Sequence, residues 1–589
     1  MFCYQQTKFG GSIMEAFTDH CRNIVEEYVQ TILIIDDGAG LSNENLTAAE
    51  EINIDDNTDP FHPNHSDDAE NTENTENTEV THSLDTLALT SAFYQLGIVA
   101  GLYQPQIAQD ELPETFATKA KKVSATADII ILDWMLKNHD SRYSKEIIKQ
   151  ILEQDSISGG RLRTIIIYTG ESNLDQICEE LYTYLNDDKL KKEESGYQIT
   201  SKHLNIALYN KIDAHGTNRC IPENDLPQIA LSEFTKLVDG LVPAFAMKAT
   251  STVRQNTGAL LVKFSSNLDT GYLAHRALLP NPEDSEVLML ENYASYLRNV
   301  LALAQVDRKT LGYEQINIWV NASYNNCYKK AEITGDNEIE EITFTRASFT
   351  EALVNSSNSS GDNLLQAVLS STITRKSTNA STNTNTNVSK TKAKSMLNKH
   401  KNIECIVGAL GSSVDAVKKS SQELAALTAF KRTYKDLHEG MPYLTQGTLI
   451  KSSSSNDYFV CVMPKCDTAR VNTERSFSFA KLEINNETYD LIAPDITQMD
   501  SYIHLKTNFK FYELENIKFS PNDSSKIVAS KIDGNIVFKS NEKIEYQWIG
   551  DLKDLDIQNK VSSIVGDFNR IGVDEIEWVR RRKASSMHR

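Results

Sequence analysis

The amino-acid sequence predicts an α/β fold that opens with a five-stranded, parallel, doubly wound sheet and continues into a mainly helical region and a C-terminal β-rich domain. Three observations carry this prediction. Short, apolar, β-branched runs recur between segments of helical period, the pattern of strands buried on both faces of a parallel sheet. Four of those runs end in functional residue types, at Asp36-Asp37, Asp133, Thr169 and Lys211. Beyond Met441 the pattern shortens to alternating runs separated by Asn, Asp and Gly, as in antiparallel strands and turns.

Length and composition set the frame. A chain of 589 residues exceeds one hydrophobic core, since a domain takes roughly 100–200 residues. The boundaries read as an N-terminal helix at 1–30, an α/β domain at 31–240 and a mainly helical region at 241–354. A flexible linker at 355–402 then leads to a helical hairpin and a small β-rich domain at 403–589. A net charge of −21 and a pI near 5.1 disfavour nucleic acid as a partner, because phosphate neutralisation needs clustered Lys and Arg. Cysteines at 3, 21, 178, 220, 327, 405, 461 and 466 form no CxxC pair, which suits a reduced, cytoplasmic protein. No apolar run is long enough to cross a bilayer, so no membrane partner is expected. Residues 1–13 carry no clear pattern, and Met14 is an alternative start for the amphipathic helix at 14–30.

The elements follow in order. The run TILII at 31–35 reads as a buried strand that delivers Asp36 and Asp37 at its C-terminal end, where α/β sheets keep their sites. Residues 41–80 hold twelve acids and no Lys or Arg, so the stretch 41–82 is expected to be a disordered insertion. A helix near 84–96, a strand near 98–103 and a helix near 114–124 precede the strand DIIIL, which ends at Asp133. A helix at 142–155, the strand TIIIY before Thr169, a helix at 173–185 and the strand LNIALY before Lys211 complete five strands. Alternation of this kind demands right-handed parallel crossovers. Long helical periods occupy 226–264 and 285–306, with a strand expected near 316–320. The region 355–402 is rich in Ser, Thr and Asn, with local lysines, as in a flexible linker. Strands are expected at 458–463, 476–484, 502–512, 526–530 and 535–538, then a helix at 554–570.

An acidic pair after a strand is often only a cap, and a lone Lys is usually a solvated charge. Four strand ends of one sheet converging on a shared edge are a different matter. The segments TILIIDDG, DIIILDWML, TIIIYTGE and NIALYNKI resemble the strand ends of response-regulator receiver domains, over roughly residues 30–240. The resemblance implies an aspartyl-phosphate formed at Asp133 from the phosphohistidine of a histidine kinase. It also implies Mg²⁺ bound through Asp37, Asp133 and the Met135 carbonyl, with Asp36 acting through metal-bound water, because crowded carboxylates repel unless a hard cation neutralises them. Lys211 is implied to pair with one phosphoryl oxygen, and Thr169 to hydrogen-bond another. Two positions depart from the family pattern: Leu208 stands where many receivers carry a switch aromatic, and Ile212 replaces a frequent proline. Tyr209 is adjacent, but strand alternation points it to the other face.

The closing segment at 548–582 is similar to the ends of large receiver proteins from bacterial anti-phage operons of the Detocs type. This implies a regulator or phosphate sink beside a separate receiver-linked effector, with no enzyme activity beyond Mg-dependent self-phosphorylation. No phosphate loop, GxSxG elbow, HExxH helix or CxxC pair follows residue 240. Residues 306–319 resemble a helix-turn-helix entry without a basic recognition helix. The alternative is a response regulator whose C-terminal region is a DNA-binding or enzymatic effector. The pair Cys461 and Cys466 has metal-like spacing but lacks a second Cys/His pair, so a buried apolar role is favoured.

Overall fold

The structure, a computed structural model, describes residues 3–40, 84–323, 330–343, 372–377, 384–387 and 414–568, apart from 138–139, 158–160, 213–218, 336–337, 437–439, 499 and 523–524. The acidic insertion at 41–82, most of the linker at 355–402 and the closing tail lie outside the described residues. The chain divides into two compact units, Met1–Cys327 with Phe349–Asn363, and Tyr328–Ser348 with Leu364–Arg589.

The first unit is built on α1 (Cys3–Tyr28), β1 (Thr31–Ile35), α2 (Thr86–Gln95), β2 (Val99–Tyr103), α3 (Pro113–Ser124), β3 (Ile129–Leu132), α4 (Ser141–Ile157), β4 (Arg163–Thr169), α5 (Leu174–Leu185), β5 (Lys191–Lys192), β6 (Gln198–Thr200), β7 (Leu204–Asn210) and α6 (Leu226–Thr235). The sheet runs β2-β1-β3-β4-β7-β6-β5. Its first five strands are parallel, as expected. The sheet is larger than the five strands predicted, because the antiparallel pair β6 and β5 extends the β7 edge. Two or three residues are too short a run to carry a period-2 signal, so only tertiary pairing reveals them.

Alternation along the strands separates two apolar layers. Leu33, Ile35, Ile130, Leu132, Ile165, Ile167 and Leu208 pack with α3, α4 and α5. Ile32, Ile34, Ile129, Ile131, Tyr168 and Tyr209 face α1, α2 and α6 on the other side. Each Ile or Leu buried in this way contributes roughly 1.5–3 kcal/mol relative to exposure. The N-terminal helix is therefore part of the core, through Phe17, Cys21, Ile24 and Val25.

A helical layer follows: α7 (Leu241–Gln255), α8 (Thr257–Lys263), α9 (Asp269–Leu278), α10 (Asp284–Leu303), α11 (Val306–Leu311) and α12 (Tyr313–Ser323). It is tied to the sheet by Arg254, whose guanidinium donates to the Tyr28 carbonyl at 3.0 Å and lies 3.6 Å from buried Asp128. The strand expected near 316–320 is instead part of α12. Its Ile318, Trp319 and Ala322 stand at helical spacing and reach the α1 core, and that packing overrides the β-branched composition. Gly312 permits the tight α11–α12 junction, since a Cβ there would lie 2.2 Å from the Arg308 carbonyl oxygen.

In the second unit, Lys330–Gly335, Glu338–Thr343, Thr372–Ser377 and Thr384–Asn387 form a four-stranded antiparallel sheet. Two of these strands fall where a flexible linker is expected; their Thr-rich sequences have the β-branched composition that a ladder favours. The C-terminal sheet has ten strands, more than the five short runs foresaw. Its missed central strand Glu545–Leu552 pairs with Thr448–Ser452, Asn535–Lys539 and Phe430–Thr433. Of the helical hairpin expected from residue 403, the described residues hold one helix, Val414–Ala429, running directly into a strand, and 403–413 lie outside them. Cys461 is fully buried, and burial pushes its thiol up to about 12, whereas Cys466 is exposed.

Candidate functional site

Parallel strands place all their C-terminal ends on one edge, and β1, β3 and β7 each end there in a charged side chain. Asp36 and Lys211 are buried at 2% exposure, Asp133 is half-buried and Asp37 is exposed. The Lys211 ammonium donates to Asp36 Oδ2 and to Asp133 Oδ2, each at 2.8 Å. Asp36, Asp37 and Asp133 can each present a carboxylate oxygen within 4.8 Å of the others. Four of the predicted residues thus share one pocket.

Thr169 closes β4, buried beside the Lys211 backbone, whose N–H donates to the Thr169 carbonyl at 2.9 Å. The Thr169 hydroxyl accepts from the Glu171 N–H at 3.2 Å, so it holds the start of the following loop. Met135 meets the site through its backbone N–H, 3.4 Å from Asp133 Oδ1. Leu208 is fully buried in the α4 and α5 layer, while Tyr209 lies in the opposite layer and donates to buried Glu233 at 2.5 Å.

The electrostatics follow from burial. The Asp36 carboxyl is raised to about 6, chiefly by desolvation; Lys211 opposes the rise, and Asp133 and Asp37 add to it. Burial alone would lower Lys211, but Asp133 and Asp36 more than offset that, so the ammonium is held above its ordinary range. Three carboxylates facing one ammonium leave uncompensated negative charge. Hard, converging oxygen donors with excess charge fit a divalent cation such as Mg²⁺.

Three supporting residues escape sequence reasoning. Asn210, fully buried, donates through Nδ2 to the Thr169 carbonyl at 3.1 Å and the Glu171 carbonyl at 2.6 Å. A polar residue ending an apolar strand was the available signal. The Lys137 N–H donates to Asp37 Oδ2 at 2.9 Å from a left-handed backbone, φ 46°. The Ser144 hydroxyl donates to the Asp133 carbonyl at 2.8 Å, tying α4 to the loop after β3. Neither position has a sequence pattern that marks it.

Residues 28–216 match the family model of the response receiver domain. That match covers the strands carrying Asp36, Asp37, Asp133, Thr169 and Lys211, and it supports a receiver domain in this part of the chain. Comparison with curated proteins and with solved structures finds no match. No described helix is long and apolar enough to cross a membrane.

Proposed function

We propose that the protein is a two-component receiver in which Asp133 accepts a phosphoryl group from a partner histidine kinase. The receiver match supports a phospho-accepting response-regulator role in general. The observation that carries the specific reading is the Lys211 ammonium held between Asp36 and Asp133 beside the exposed Asp37.

In the transfer, an Asp133 carboxylate oxygen bonds to phosphorus as the phosphorus–nitrogen bond of the donor breaks, and the imidazole nitrogen keeps the electron pair. When bound by Asp36, Asp37, Asp133 and the Met135 carbonyl, Mg²⁺ supplies neutralisation of the phosphoryl oxygens. Lys211 needs only a small shift from its present bond to Asp133 to pair with a phosphoryl oxygen. Thr169 has a hydroxyl proton to offer another oxygen, and doing so draws in the loop that its oxygen holds at Glu171. The Lys137 N–H and the Ser144 hydroxyl keep Asp37 and the Asp133 backbone in place throughout.

Regulation or phosphate storage within a signalling or anti-phage system, through contacts with a separate effector, is the proposed physiological role. It is favoured over a DNA-binding output because α12, the second helix of the pair at 306–323, carries no Lys or Arg. Acetyl phosphate with Mg²⁺ should yield an aspartyl-phosphate in the wild type and none in Asp133→Asn, read by intact mass. A wild type that neither gains phosphate nor responds to BeF₃⁻ with Mg²⁺ would overturn the proposal.

A further inference from the structure

The helical layer contains an anomaly unconnected with the phospho-acceptor pocket. Across residues 257–303, Leu260 is the only apolar side chain that is fully buried. α9 buries nothing, and α10 buries only Ser285 in 20 residues. An amphipathic helix gains most of its stability by covering its apolar stripe, so a face of this kind calls for an occupant.

The inner side of α10 is already in use. Tyr293 and Tyr296 meet Phe264 edge-on, at centroid distances of 5.4 and 5.7 Å. Beside that side runs a second stripe, Val287, Leu290, Ala294, Leu297 and Leu301, spaced alternately three and four residues apart. This is the a/d spacing of a coiled-coil seam. Val287 is 59% and Leu290 71% exposed, Ala294 is exposed, and Leu297 and Leu301 are half-buried.

The flanking charges identify the partner. Glu291 and Arg298 occupy equivalent positions beside the seam, seven residues apart, both exposed and without a side-chain partner in the described structure. We infer that α10 pairs antiparallel with α10 of a second copy of this chain, forming a twofold-symmetric dimer. Leu290 then faces Leu301 of the second copy, Ala294 faces its Leu297, and Glu291 meets its Arg298 twice over by symmetry. A parallel pair would set Glu286 against Glu291, a like-charge contact that opposes it. The small Ala294 near the crossing lets the two backbones approach.

The test uses sedimentation equilibrium on the full-length chain, with far-UV circular dichroism as the control for folding. The wild type is expected to be a dimer at micromolar concentration. Leu290→Glu should raise the dissociation constant roughly tenfold or more. Glu291→Arg and Arg298→Glu should each weaken the dimer about tenfold, and the double exchange should restore most of the loss, because it recreates both ion pairs. The charge exchange leaves the apolar seam untouched, so it remains decisive if Leu290→Glu unfolds. A wild type that stays monomeric up to its solubility limit overturns the inference. So does a dimer indifferent to the charge variants, which would place the contact on another face. Phosphorylation at Asp133 enters none of these measurements, so the dimer and the receiver reading stand or fall separately.

Discussion

Each unit of the molecule buries a lysine against carboxylate, and the two cases differ in how the charge is balanced. In the second unit, Lys560 of the closing helix (Asp554–Phe568) donates to Asp490 at 2.9 Å and to the Thr507 hydroxyl at 2.8 Å, while Asp490 also accepts from the Thr507 hydroxyl at 2.9 Å. One cation meets one anion, with neutral groups filling the remaining positions. In the receiver sheet, Lys211 meets two carboxylates at 2.8 Å, with a third close by. The balanced arrangement reads as structural, and the unbalanced one as a carboxylate cluster suited to a divalent cation.

The sharpest way to break this comparison is to remove each lysine. Lys211→Met leaves Asp36 buried without its ion pair and should cost the metal-free protein about 3–5 kcal/mol, part of which Mg²⁺ recovers. Lys560→Met leaves Asp490 with a side chain 30% exposed and still bonded to Thr507, so the cost should be about 1 kcal/mol and indifferent to Mg²⁺. Denaturant unfolding with and without Mg²⁺ measures both. Equal losses, or equal Mg²⁺ responses, would remove the distinction.

pH sharpens it further. The Asp36 carboxyl titrates at about 6 instead of 3.8, so the fold favours its protonated form. That contribution to metal-free stability is complete at pH below 3.8 and is lost as pH rises through 6. Cation binding runs the opposite way, because it requires the carboxylate. Mg²⁺ affinity should be flat above pH 6 and fall by about tenfold per unit below it, as followed by calorimetry. Asp36→Asn should abolish this step.

The most local expected effect concerns the loop after β4. Asn210→Ala removes both side-chain bonds to the Thr169 and Glu171 carbonyls, at about 1–2 kcal/mol of local stability. Amide exchange around Glu171 should accelerate, while phosphorylation of Asp133 persists. Unchanged exchange there would show that the Thr169 hydroxyl alone holds the loop.

Much of the receiver was legible in the sequence because its signals are local. The runs TILII, DIIIL, TIIIY and LNIALY are buried on both faces, so continuous β-branched stretches mark the parallel strands, and their shared polarity brings Asp36, Asp37, Asp133 and Lys211 to one edge. Asn210 was marked only as a polar residue ending an apolar strand and Lys137 not at all, since a carboxamide or backbone N–H acquires its role from a carbonyl or carboxylate supplied by another strand. The C-terminal sheet was read less well for the same reason: Leu491–Pro494 and Glu515–Phe519 are strands because Tyr502–Thr507 and Arg475–Ile484 lie beside them.

By itself, then, the sequence determined the α/β order of the first domain and the residue types at its strand ends, through periodicity and chain direction. Only the tertiary structure decided that residues 316–320 are helical, that two further strands extend the receiver edge, and that one lysine is shared by two acids. Those outcomes depend on burial against partners distant in the chain, and a local pattern carries no information about which distant group will be there.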